Sequence, residues 1–295
     1  MIHYTSCPIC LSEKIAPFLD ARDHTVSGKE FSIWECNSCR GKFTQGVPAE
    51  DKIGAYYSSE EYISHSDTRT GMVNSIYHMV RGITLKKKRK LVKKFSSLNS
   101  GKILDIGCGT GAFLNEMKQA GWEIMGIEPD AGARSNAATL HGIIPSEPEA
   151  LFHLEEESFD VITMWHVLEH VHRLHDYLAQ LKKIIKPGGV ILIAVPNHQS
   201  SDARHYRQHW AGYDVPRHLY HFAPESMKRL ASKYGFKLHR MLPMWFDSFY
   251  VSMLSERYKG RPNVLAAGIH GLLSNLRAVF DTTRCSSVIY VFGKK

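Results

Sequence analysis

From residue 102 onward, short runs of apolar residues alternate with segments in which apolar residues recur every three or four positions. The continuous runs predict buried strands, and the recurring pattern predicts amphipathic helices. Strands are predicted at residues 102–106, 123–128, 159–164, 190–195, 236–241 and 288–292, and helices at 112–120, 131–140, 174–185 and 224–234. Strands that are apolar on both faces and joined by helical crossovers predict an α/β fold, a mainly parallel sheet with helices on both faces.

The first 45 residues carry a different pattern, in which two Cys-x-x-Cys pairs flank a strand-like segment. Cys7 pairs with Cys10 and Cys36 with Cys39, and residues 29–35 between them alternate apolar and polar positions as an edge strand does. Four thiolates at this spacing suit a tetrahedral Zn²⁺ site and predict a zinc ribbon that the structural metal keeps folded. A redox-active dithiol and four incidental cysteines are the alternative interpretations.

Residues 48–98 are predicted to be helical and to bridge the ribbon and the sheet domain. Pro48 can open a helix that runs through residues 56–57, and a second helix carries apolar residues at helical spacing as far as residue 95. The outer side of this second helix bears a basic run at residues 86–94. That run is either a solvated helix face or a surface for anionic partners.

The composition fits one large α/β domain with a smaller appendage. Of the 295 residues, 43% are hydrophobic and 22% are charged, and the formal net charge of +8 favours acidic partners such as nucleic acid or anionic lipid. We divide the chain into a zinc ribbon (1–45), a helical bridging segment (46–100) and a sheet domain (101–295) with inserts at 197–222 and 243–284. No secretory pattern and no membrane-spanning apolar run is visible, which predicts a cytoplasmic protein.

A glycine-rich segment at residues 104–111, Leu-Asp-Ile-Gly-Cys-Gly-Thr-Gly, leaves the first predicted strand of the sheet and enters a helix. Its glycines permit a tight turn and the close approach of a ligand, while the helix N-terminus offers free N–H groups. Glu128 ends the next strand, where a carboxylate can accept both hydroxyls of a ribose. These features predict a nucleoside cofactor, either S-adenosylmethionine or a nicotinamide dinucleotide.

Four segments together resemble the signature of class I S-adenosylmethionine-dependent methyltransferases, and they follow the family's order. They are residues 104–111, Gly-Ile-Glu-Pro-Asp at 126–130, Ser-Phe-Asp-Val-Ile at 158–162 and Lys-Pro-Gly-Gly-Val at 186–190. The resemblance implies a Rossmann-like, seven-stranded sheet whose last strand, at 288–292, is antiparallel. The layout is similar to the branch of ubiquinone-biosynthesis O-methyltransferases, which the segments at 166–171 and 214–219 also fit.

The resemblance further implies a site for S-adenosylmethionine at the ends of the first four strands of the sheet. In that family Asp105 helps to hold the methionine end, the glycine-rich loop lies under the cofactor and Glu128 takes the ribose. Residues after the third strand approach the adenine, and residues just past the fourth strand line the pocket. The implied cofactor-binding residues are Asp105, Gly107, Cys108, Gly109, Gly111, Glu128, Pro129, Ser146, Glu147, Trp165 and His166.

Three histidines are candidates for catalysis, where a base is useful only if the acceptor must lose a proton. His166 follows the tip of a central strand, where parallel α/β sheets place their chemistry. His170 comes one turn later, beside Glu169. These two residues either act together as a general base, help to hold a divalent metal, or serve capping and local packing. His218 belongs to an insert that is either a loop closing over the acceptor or a surface loop.

The methyl acceptor is predicted from a motif that this sequence lacks and from the second insert. Residues 164–167 do not carry the Asn/Asp-Pro-Pro-aromatic motif of enzymes that methylate exocyclic amines of bases, which favours oxygen or carbon acceptors. The second insert carries an apolar helical stripe, which is either core or a lid around an apolar acceptor that contacts a membrane surface. The stripe consists of Leu265, Ile269, Leu272, Leu273, Leu276 and Phe280.

The leading hypothesis is methyl transfer to a small-molecule or lipid-like acceptor, of which envelope sugars and quinone-type intermediates are the candidate classes. One alternative is an RNA base methyltransferase whose ribbon and basic run grip phosphates. Another is a non-enzymatic protein in which a zinc-ribbon interaction module is fused to a domain that senses the cofactor.

Overall fold

The computed structural model describes residues 1–57, 72–260 and 263–294, and of residues 72–80 the helical backbone alone. The strands of this part are β1 (Ile15–Arg22), β2 (Glu30–Cys36), β3 (Lys42–Thr44), β4 (Lys102–Ile106), β5 (Glu123–Ile127), β6 (Phe159–Trp165), β7 (Ile185–Pro196), β8 (Tyr220–His221), β9 (Phe236–Pro243) and β10 (Ser287–Lys294). Its α-helices are α1 (Met72–Ser96), α2 (Ala112–Gln119), α3 (Ala131–His141), α4 (Leu174–Ile184), α5 (Ser201–Tyr206), α6 (Pro224–Lys233), α7 (Asp247–Tyr258) and α8 (Val264–Phe280).

The central sheet has the strand order β5-β4-β6-β7-β10-β9. β4 pairs in parallel with β5 and β6, and β6 with β7, whereas β10 runs antiparallel to β7 and β9. Successive residues of a strand point to opposite faces, and Ile103 and Leu104 accordingly belong to two separate cores. One core includes residues of α1 and α2, and the other includes residues of α4 and α6. The predicted mainly parallel sheet, covered on both faces, and its antiparallel last strand are therefore confirmed.

A seventh strand is not formed within the described residues. At its expected place beside β5, the structure has a single parallel bridge between Ile127 and Ser146. Pro145 and Pro148 flank this bridge, and proline has no backbone N–H to extend a ladder. The predicted count of seven strands is thus corrected to six strands and one bridge.

The N-terminal sheet is antiparallel, with the order β1-β2-β3-β8. The prediction of an edge strand at residues 29–35 was wrong, because β2 lies between β1 and β3. Alternation of apolar and polar residues reports one buried face and cannot distinguish an inner strand from an edge strand. The fourth strand comes from the 197–222 insert, where Tyr220 pairs with Phe43 and His221 with Lys42.

The bridging segment differs from its predicted form at its start. Residues Ile53–Tyr57 form a short 3₁₀ turn in place of a helix opening at Pro48, and Gly54 within it is a poor helix former. The second predicted helix is α1, although residues 58–71 lie outside the described part. The 197–222 insert is not a surface loop, because Trp210, Arg217 and His218 are buried.

The helices α7 and α8 pack as a hairpin through small residues. The buried face of α8 consists of Ala267, Gly271, Ser274 and Ala278. A Cβ at Gly271 would lie 3.0 Å from Cα of Phe249, so only glycine allows this approach. The predicted apolar stripe points outward, with Leu272 51% and Phe280 91% exposed, and its interpretation as core was wrong. In the part of the chain that the structure describes, none of the helices is long and apolar enough to cross a membrane.

Candidate active site

The glycine-rich loop joins the carboxyl end of β4 to α2 at the centre of the parallel sheet. Gly107, Gly109 and Gly111 all have positive φ (70°, 54° and 75°), a conformation that L side chains rarely adopt. A Cβ at Gly107 would lie 2.3 Å from Cγ2 of Val167, whereas one at Gly109 would meet nothing within 4 Å. No side chain caps the N-terminus of α2, whose N-cap residue is Gly111. The loop therefore leaves open space for a ligand at Gly109, and no side chain covers the N–H groups in the first turn of α2, where an anionic or polar ligand can bind.

Glu128 follows β5 and faces this loop. Its carboxylate is buried and accepts hydrogen bonds from the backbone N–H of Gly109 (2.7 Å) and of Asp130 (3.0 Å). Each carboxylate oxygen has two lone pairs, so further hydrogen bonds can be accepted. The structure thus places a fixed carboxylate against the glycine-rich loop, where the hydroxyls of a ribose can bind.

Asp105 lies at the end of β4 and is 2% exposed. Its Oδ1 accepts a hydrogen bond from Oγ1 of Thr163 at 2.6 Å. Burial raises the pKa of Asp105 to about 7, although Thr163 and Lys88 act in the opposite direction. Burial also lowers the pKa of Lys88 to about 8, and the Lys88 ammonium lies 4.3 Å from the ring centroid of Trp165. Asp105 is therefore poised to change its charge near neutral pH.

Trp165 ends β6 and stacks edge-to-face on Phe113 of α2, with ring centroids 5.6 Å apart. Its indole N–H is buried and has no hydrogen-bond partner among the described residues. A buried donor without a partner indicates a place that a ligand or water completes. Together with the glycine-rich loop and Glu128, this donor shows that the residues present fit a nucleoside cofactor such as S-adenosylmethionine.

The remaining residues implied to bind the cofactor lie farther along the same edge of the sheet. Ser146 forms the bridge to Ile127, and Glu147 is exposed and paired with Arg134 at 2.7 Å. Pro129 is exposed, and Cys108 is buried in a small cluster with Leu114 and Ile143. The residues thus lie around the same loop, whereas the thiol of Cys108 belongs to the apolar packing beneath it.

His166 follows β6 with a positive φ of 59°, which turns the chain sharply at the sheet edge. Its Nε2 lies 2.7 Å from Oδ2 of Asp247 and its Nδ1 lies 3.4 Å from Oε1 of Glu169. Burial disfavours a charged imidazole, but Asp247 and Glu169 outweigh this effect and raise the pKa of His166 to about 10. The contact with Asp247 joins the sheet edge to the first turn of α7.

His170 and His218 form a histidine pair next to His166. Their rings meet edge-to-face with centroids 4.6 Å apart. Nδ1 of His170 lies 3.0 Å from the hydroxyl of Tyr57 and 3.0 Å from the carbonyl of Arg217. Nδ1 of His218 lies 2.9 Å from the carbonyl of Gly212. The structure therefore brings all three predicted histidines together at the carboxyl end of the parallel strands.

Arg217 connects this edge to the ribbon. Its guanidinium is 1% exposed and donates to Oδ1 of Asp214 (2.6 Å), to Oδ1 of Asp23 (3.2 Å) and to the carbonyl of Tyr56 (2.8 Å). Asp23 follows β1, and Tyr56 belongs to the bridging segment. One buried cation thus holds the ribbon, the bridging segment and the 197–222 insert in one arrangement.

The four paired cysteines converge at the base of the ribbon, and their sulfur atoms all lie within 4.8 Å of one another. Sγ of Cys7 is 3.7 Å from Sγ of Cys39, and Sγ of Cys10 is 3.6 Å from Sγ of Cys36. Zn–S bonds of about 2.3 Å in a tetrahedron separate the sulfur atoms by about 3.8 Å. The spacing therefore fits a zinc ion, and the donors are the soft thiolates that zinc prefers.

Three further residues at this site were not found from the sequence. Asp247 contacts His166, Lys88 lies near Asp105 and Trp165, and Nη2 of Arg81 donates to Oγ1 of Thr110 in the glycine-rich loop at 3.1 Å. Lys88 belongs to a run of basic residues in which nothing distinguishes it. Arg81 and Asp247 reach the site only through the packing of α1 and α7 against the sheet.

Comparison with known proteins agrees with this fold and site. The family model for a methyltransferase domain matches residues 80–240, and the chain belongs to that family. The resemblance to S-adenosylmethionine-dependent methyltransferases is confirmed, and so is the prediction of an enzyme of that class.

Among the curated relatives, the chain is 28% identical over 123 residues to the ubiquinone biosynthesis O-methyltransferase of Rhodopseudomonas palustris (strain BisB5), covering 40% of this chain and 49% of that protein. It is 32% identical over 107 residues to the enzyme of the same name from Maricaulis maris (strain MCS10), covering 34% and 42%. The chain thus spans about half the length of the curated relatives it matches.

Two solved structures share the fold at low sequence identity. Phosphoethanolamine N-methyltransferase 2 of Haemonchus contortus in complex with S-adenosyl-L-methionine aligns with a TM-score of 0.53 and 17% identity, over 86% of this chain and 61% of that one. A SAM-dependent methyltransferase from Archaeoglobus fulgidus aligns with a TM-score of 0.52 and 17% identity, over 80% and 100%. At this identity the likeness concerns the fold alone.

Proposed function

We propose that this protein uses S-adenosylmethionine to methylate an oxygen or carbon of a small, lipid-like acceptor. The observation that carries the proposal is the 2.7 Å contact between His166 and Asp247, which attaches the α7–α8 hairpin to the edge of the sheet beside the glycine-rich loop. An acceptor that approaches the cofactor from this side passes a helical hairpin with large exposed apolar side chains. The relatives named ubiquinone biosynthesis O-methyltransferases support a small-molecule acceptor.

When it is bound, the sulfonium of S-adenosylmethionine supplies an electrophilic methyl group. The protein then has to orient the acceptor in line with that group and keep water away. Glu128 and the glycine-rich loop hold the nucleoside, and Asp105 attracts the cationic methionine end. His166, held by Asp247 and Glu169, forms a fixed wall on the acceptor side, and Tyr57 closes over the neighbouring His170 through the 3.0 Å hydrogen bond.

An RNA base as acceptor is less well supported by the packing of α1. Two members of its basic run serve contacts within the protein, because Lys88 lies against Trp165 and Arg89 pairs with Glu116 at 3.0 Å. The charges left for phosphates are correspondingly fewer. Filter binding across a salt series tests this alternative, since phosphate contacts require affinity that falls steeply with salt.

The acceptor class is tested with two probes that share one reactive group. A dihydroxybenzoate that carries a short isoprenoid tail is compared with the same compound without the tail, using S-adenosylmethionine labelled in its methyl group. We expect label transfer to both, with a KM at least tenfold lower for the tailed probe. Glu128→Ala should abolish both transfers, which controls for cofactor binding. Label that appears only in an added RNA fraction would overturn the proposal.

The exposed face of the hairpin is proposed to contact an anionic lipid surface, from which such an acceptor is taken. It presents Leu272, Leu276 and Phe280 to solvent, and Lys87 of the basic run lies 4.9 Å from the ring of Phe246 at the start of the hairpin. Apolar area next to cationic side chains is the combination that binds anionic interfaces.

Vesicle sedimentation tests this contact. We expect binding to phosphatidylglycerol vesicles but weak binding to phosphatidylcholine vesicles, and at least a tenfold loss when Leu272→Ser and Leu276→Ser are combined. Leu11→Ser is the matched control, because Leu11 is 54% exposed on the ribbon, apart from the hairpin. Unchanged sedimentation of the double variant contradicts the proposal. The proposal is also contradicted if the wild type binds no vesicles but elutes as a dimer in size-exclusion chromatography, while the double variant elutes as a monomer.

We also propose that Cys7, Cys10, Cys36 and Cys39 bind one structural Zn²⁺. The support is the near-tetrahedral spacing of their sulfur atoms, and the burial of three of the four residues agrees with a closed structural site. Through Asp23 and Arg217, the ribbon that this ion stabilises positions Tyr56 and Tyr57 at the sheet edge.

A further inference from the structure

Three helices of the two inserts bring metal-ligand side chains together, apart from the four cysteines and from the turn that follows β6. His205 of α5, Glu256 of α7 and His270 of α8 each offer a ligand atom, and these atoms all lie within 4.8 Å of one another. The cluster exists only because both helices of the hairpin pack against α5. A single ion bound to it would therefore join the hairpin to the 197–222 insert.

Glu256 carries the negative charge of this cluster. Its side chain is buried, and the Lys259 ammonium lies 3.3 Å and 3.5 Å from its two carboxylate oxygens. These distances are long for a charge-assisted hydrogen bond, which is usually about 2.7 to 2.9 Å. The buried charge is thus only partly compensated, and a bound cation would compensate it further. Lys259 is 40% exposed, so its ammonium can return to water when such a cation binds.

Two buried hydroxyls beside the cluster make no hydrogen bond of good geometry with any described residue. They are Oη of Tyr206, which follows His205 in α5, and Oγ of Ser252, which lies one turn before Glu256 in α7. The ring of Tyr206 meets the ring of His270 edge-to-face, with centroids 5.7 Å apart. Buried polar groups without partners indicate a place that a ligand or water completes. Water on a metal ion at this cluster would supply such partners.

We propose that His205, Glu256 and His270 bind a divalent first-row transition-metal ion that joins the hairpin to the 197–222 insert. Two imidazole nitrogens and one carboxylate suit Co²⁺, Ni²⁺ or Zn²⁺, whereas Mg²⁺ and Ca²⁺ prefer oxygen ligands throughout. Bonds of about 2.1 Å place ligand atoms about 3 to 4 Å apart, so a contraction of roughly 1 Å closes the site. Three protein ligands leave a coordination position for water.

Binding requires one of the two imidazoles to turn. The rings of His205 and His270 stack with centroids 3.7 Å apart and planes inclined by 24°. The lone pairs of two nearly parallel rings cannot converge on one ion, because each lone pair lies in the plane of its ring. His205 is exposed and its Cβ–Cγ torsion is soft, so its ring has room to turn. Loss of the stack is therefore a signature of binding.

The test uses the full chain, loaded with one equivalent of Zn²⁺ and then titrated with Co²⁺ in a calorimeter. Zn²⁺ occupies the thiolate site, for which Co²⁺ competes poorly. The wild type should bind one more Co²⁺ ion per chain than His205→Ala, and Glu256→Gln should bind this ion at least tenfold more weakly. His153→Ala is the matched control, because His153 is an exposed histidine outside the cluster, and it should bind Co²⁺ as the wild type does.

Two further measurements locate the ion. Co²⁺ should slow hydrogen–deuterium exchange of the α8 amides at least threefold in the wild type but not in His205→Ala, although His205 lies on another helix. Paramagnetic broadening should affect the imidazole signals of His205 and His270 and spare that of His153. The His205 side chain is exposed, so its replacement leaves the packing intact and the comparison holds even if Glu256→Gln does not fold.

Three results overturn the inference. One is equal uptake of Co²⁺ by the wild type, His205→Ala and Glu256→Gln. Another is bound Co²⁺ that broadens neither His205 nor His270. The third is unchanged exchange of the α8 amides in the wild type saturated with Co²⁺. Metal binding is measured without S-adenosylmethionine, methyl acceptor or vesicles, so its outcome is independent of the proposed function.

Discussion

Removing the Arg217 guanidinium is expected to cost more stability than any surface ion pair of this protein contributes. The side chain is 1% exposed and bonds to two carboxylates, those of Asp23 and Asp214, and to the carbonyl of Tyr56. Breaking a buried ion pair by deleting one partner typically costs about 3 to 5 kcal/mol. Asp23 also accepts hydrogen bonds from the backbone and hydroxyl of Ser27, so it does not lose all its partners. We therefore expect a loss of about 3 kcal/mol for Arg217→Met.

Arg217→Lys separates charge from geometry. A lysine keeps the positive charge but cannot make the forked contacts of a guanidinium, and each hydrogen bond to a charged group is worth about 1.5 to 3 kcal/mol. A loss of about 2 kcal/mol is expected. The assay is urea unfolding at pH 7, followed both by far-ultraviolet circular dichroism and by zinc content.

Lys102→Met is the control, because Lys102 pairs with Glu123 at 3.1 Å on the surface, where such pairs contribute about 1 kcal/mol or less.

The pH dependence of stability gives a second check. Burial would raise the pKa of Asp23, but the hydrogen bonds of Ser27 and the charge of Arg217 prevail and hold it at about 2. A lowered carboxyl pKa contributes stability that is present above the unfolded pKa and lost as the pH falls towards 2. The gap between wild type and Arg217→Met should therefore narrow below about pH 4. A loss of less than 1 kcal/mol in Arg217→Met at pH 7 refutes the reasoning.

Four further outcomes are expected. Glu128→Ala should weaken S-adenosylmethionine binding in isothermal titration by at least tenfold, while Glu123→Ala, an exposed position at the other end of β5, changes it less than threefold. Equal effects would remove Glu128 from the ribose site. Asp105 has a folded pKa of about 7, above its unfolded value, so its carboxyl group ionises as the pH rises from 6 to 8. The affinity for S-adenosylmethionine should rise over the same range, and Asp105→Asn should abolish this trend. The same raised pKa makes wild-type stability fall between about pH 4 and 7, and Asp105→Asn should flatten that slope. Metal analysis should find one zinc per chain in the wild type and none in Cys7→Ser. The control is Cys285→Ser, which removes another buried cysteine and should leave the zinc content unchanged.

Much of the sheet domain was predictable because its signals are local. Continuous apolar runs locate β4, β5, β6 and β7 within one or two residues, apart from the start of β7, and the glycine spacing locates the turn with positive φ. The alternation in the ribbon, however, did not show that β2 is an inner strand. That position depends on β3 and β8, and β8 comes from a distant part of the chain.

The apolar stripe of α8 illustrates the same limit on pattern. Leu272 and Leu276 recur at helical spacing as core residues do, yet the buried face of α8 is the one with Gly271 and Ser274. Small residues allow two helices to approach closely. The face of α8 with small residues is therefore buried, and the face with large side chains is exposed. Periodicity locates an apolar face but does not say what covers it.

The sequence by itself predicted a site for a nucleoside cofactor and a metal site of four cysteines, because both predictions depend on residues close together in the chain. Residues 104–111 and Glu128 are separated by one helix and one strand, and each Cys-x-x-Cys pair is a local turn. Only the tertiary structure decided that Asp247 meets His166, that Arg217 joins Asp23 to Asp214, and that Glu169 faces two histidines. Those contacts depend on strand order and on how the inserts pack, since side chains far apart in sequence are brought together only when the sheet and its layers have formed.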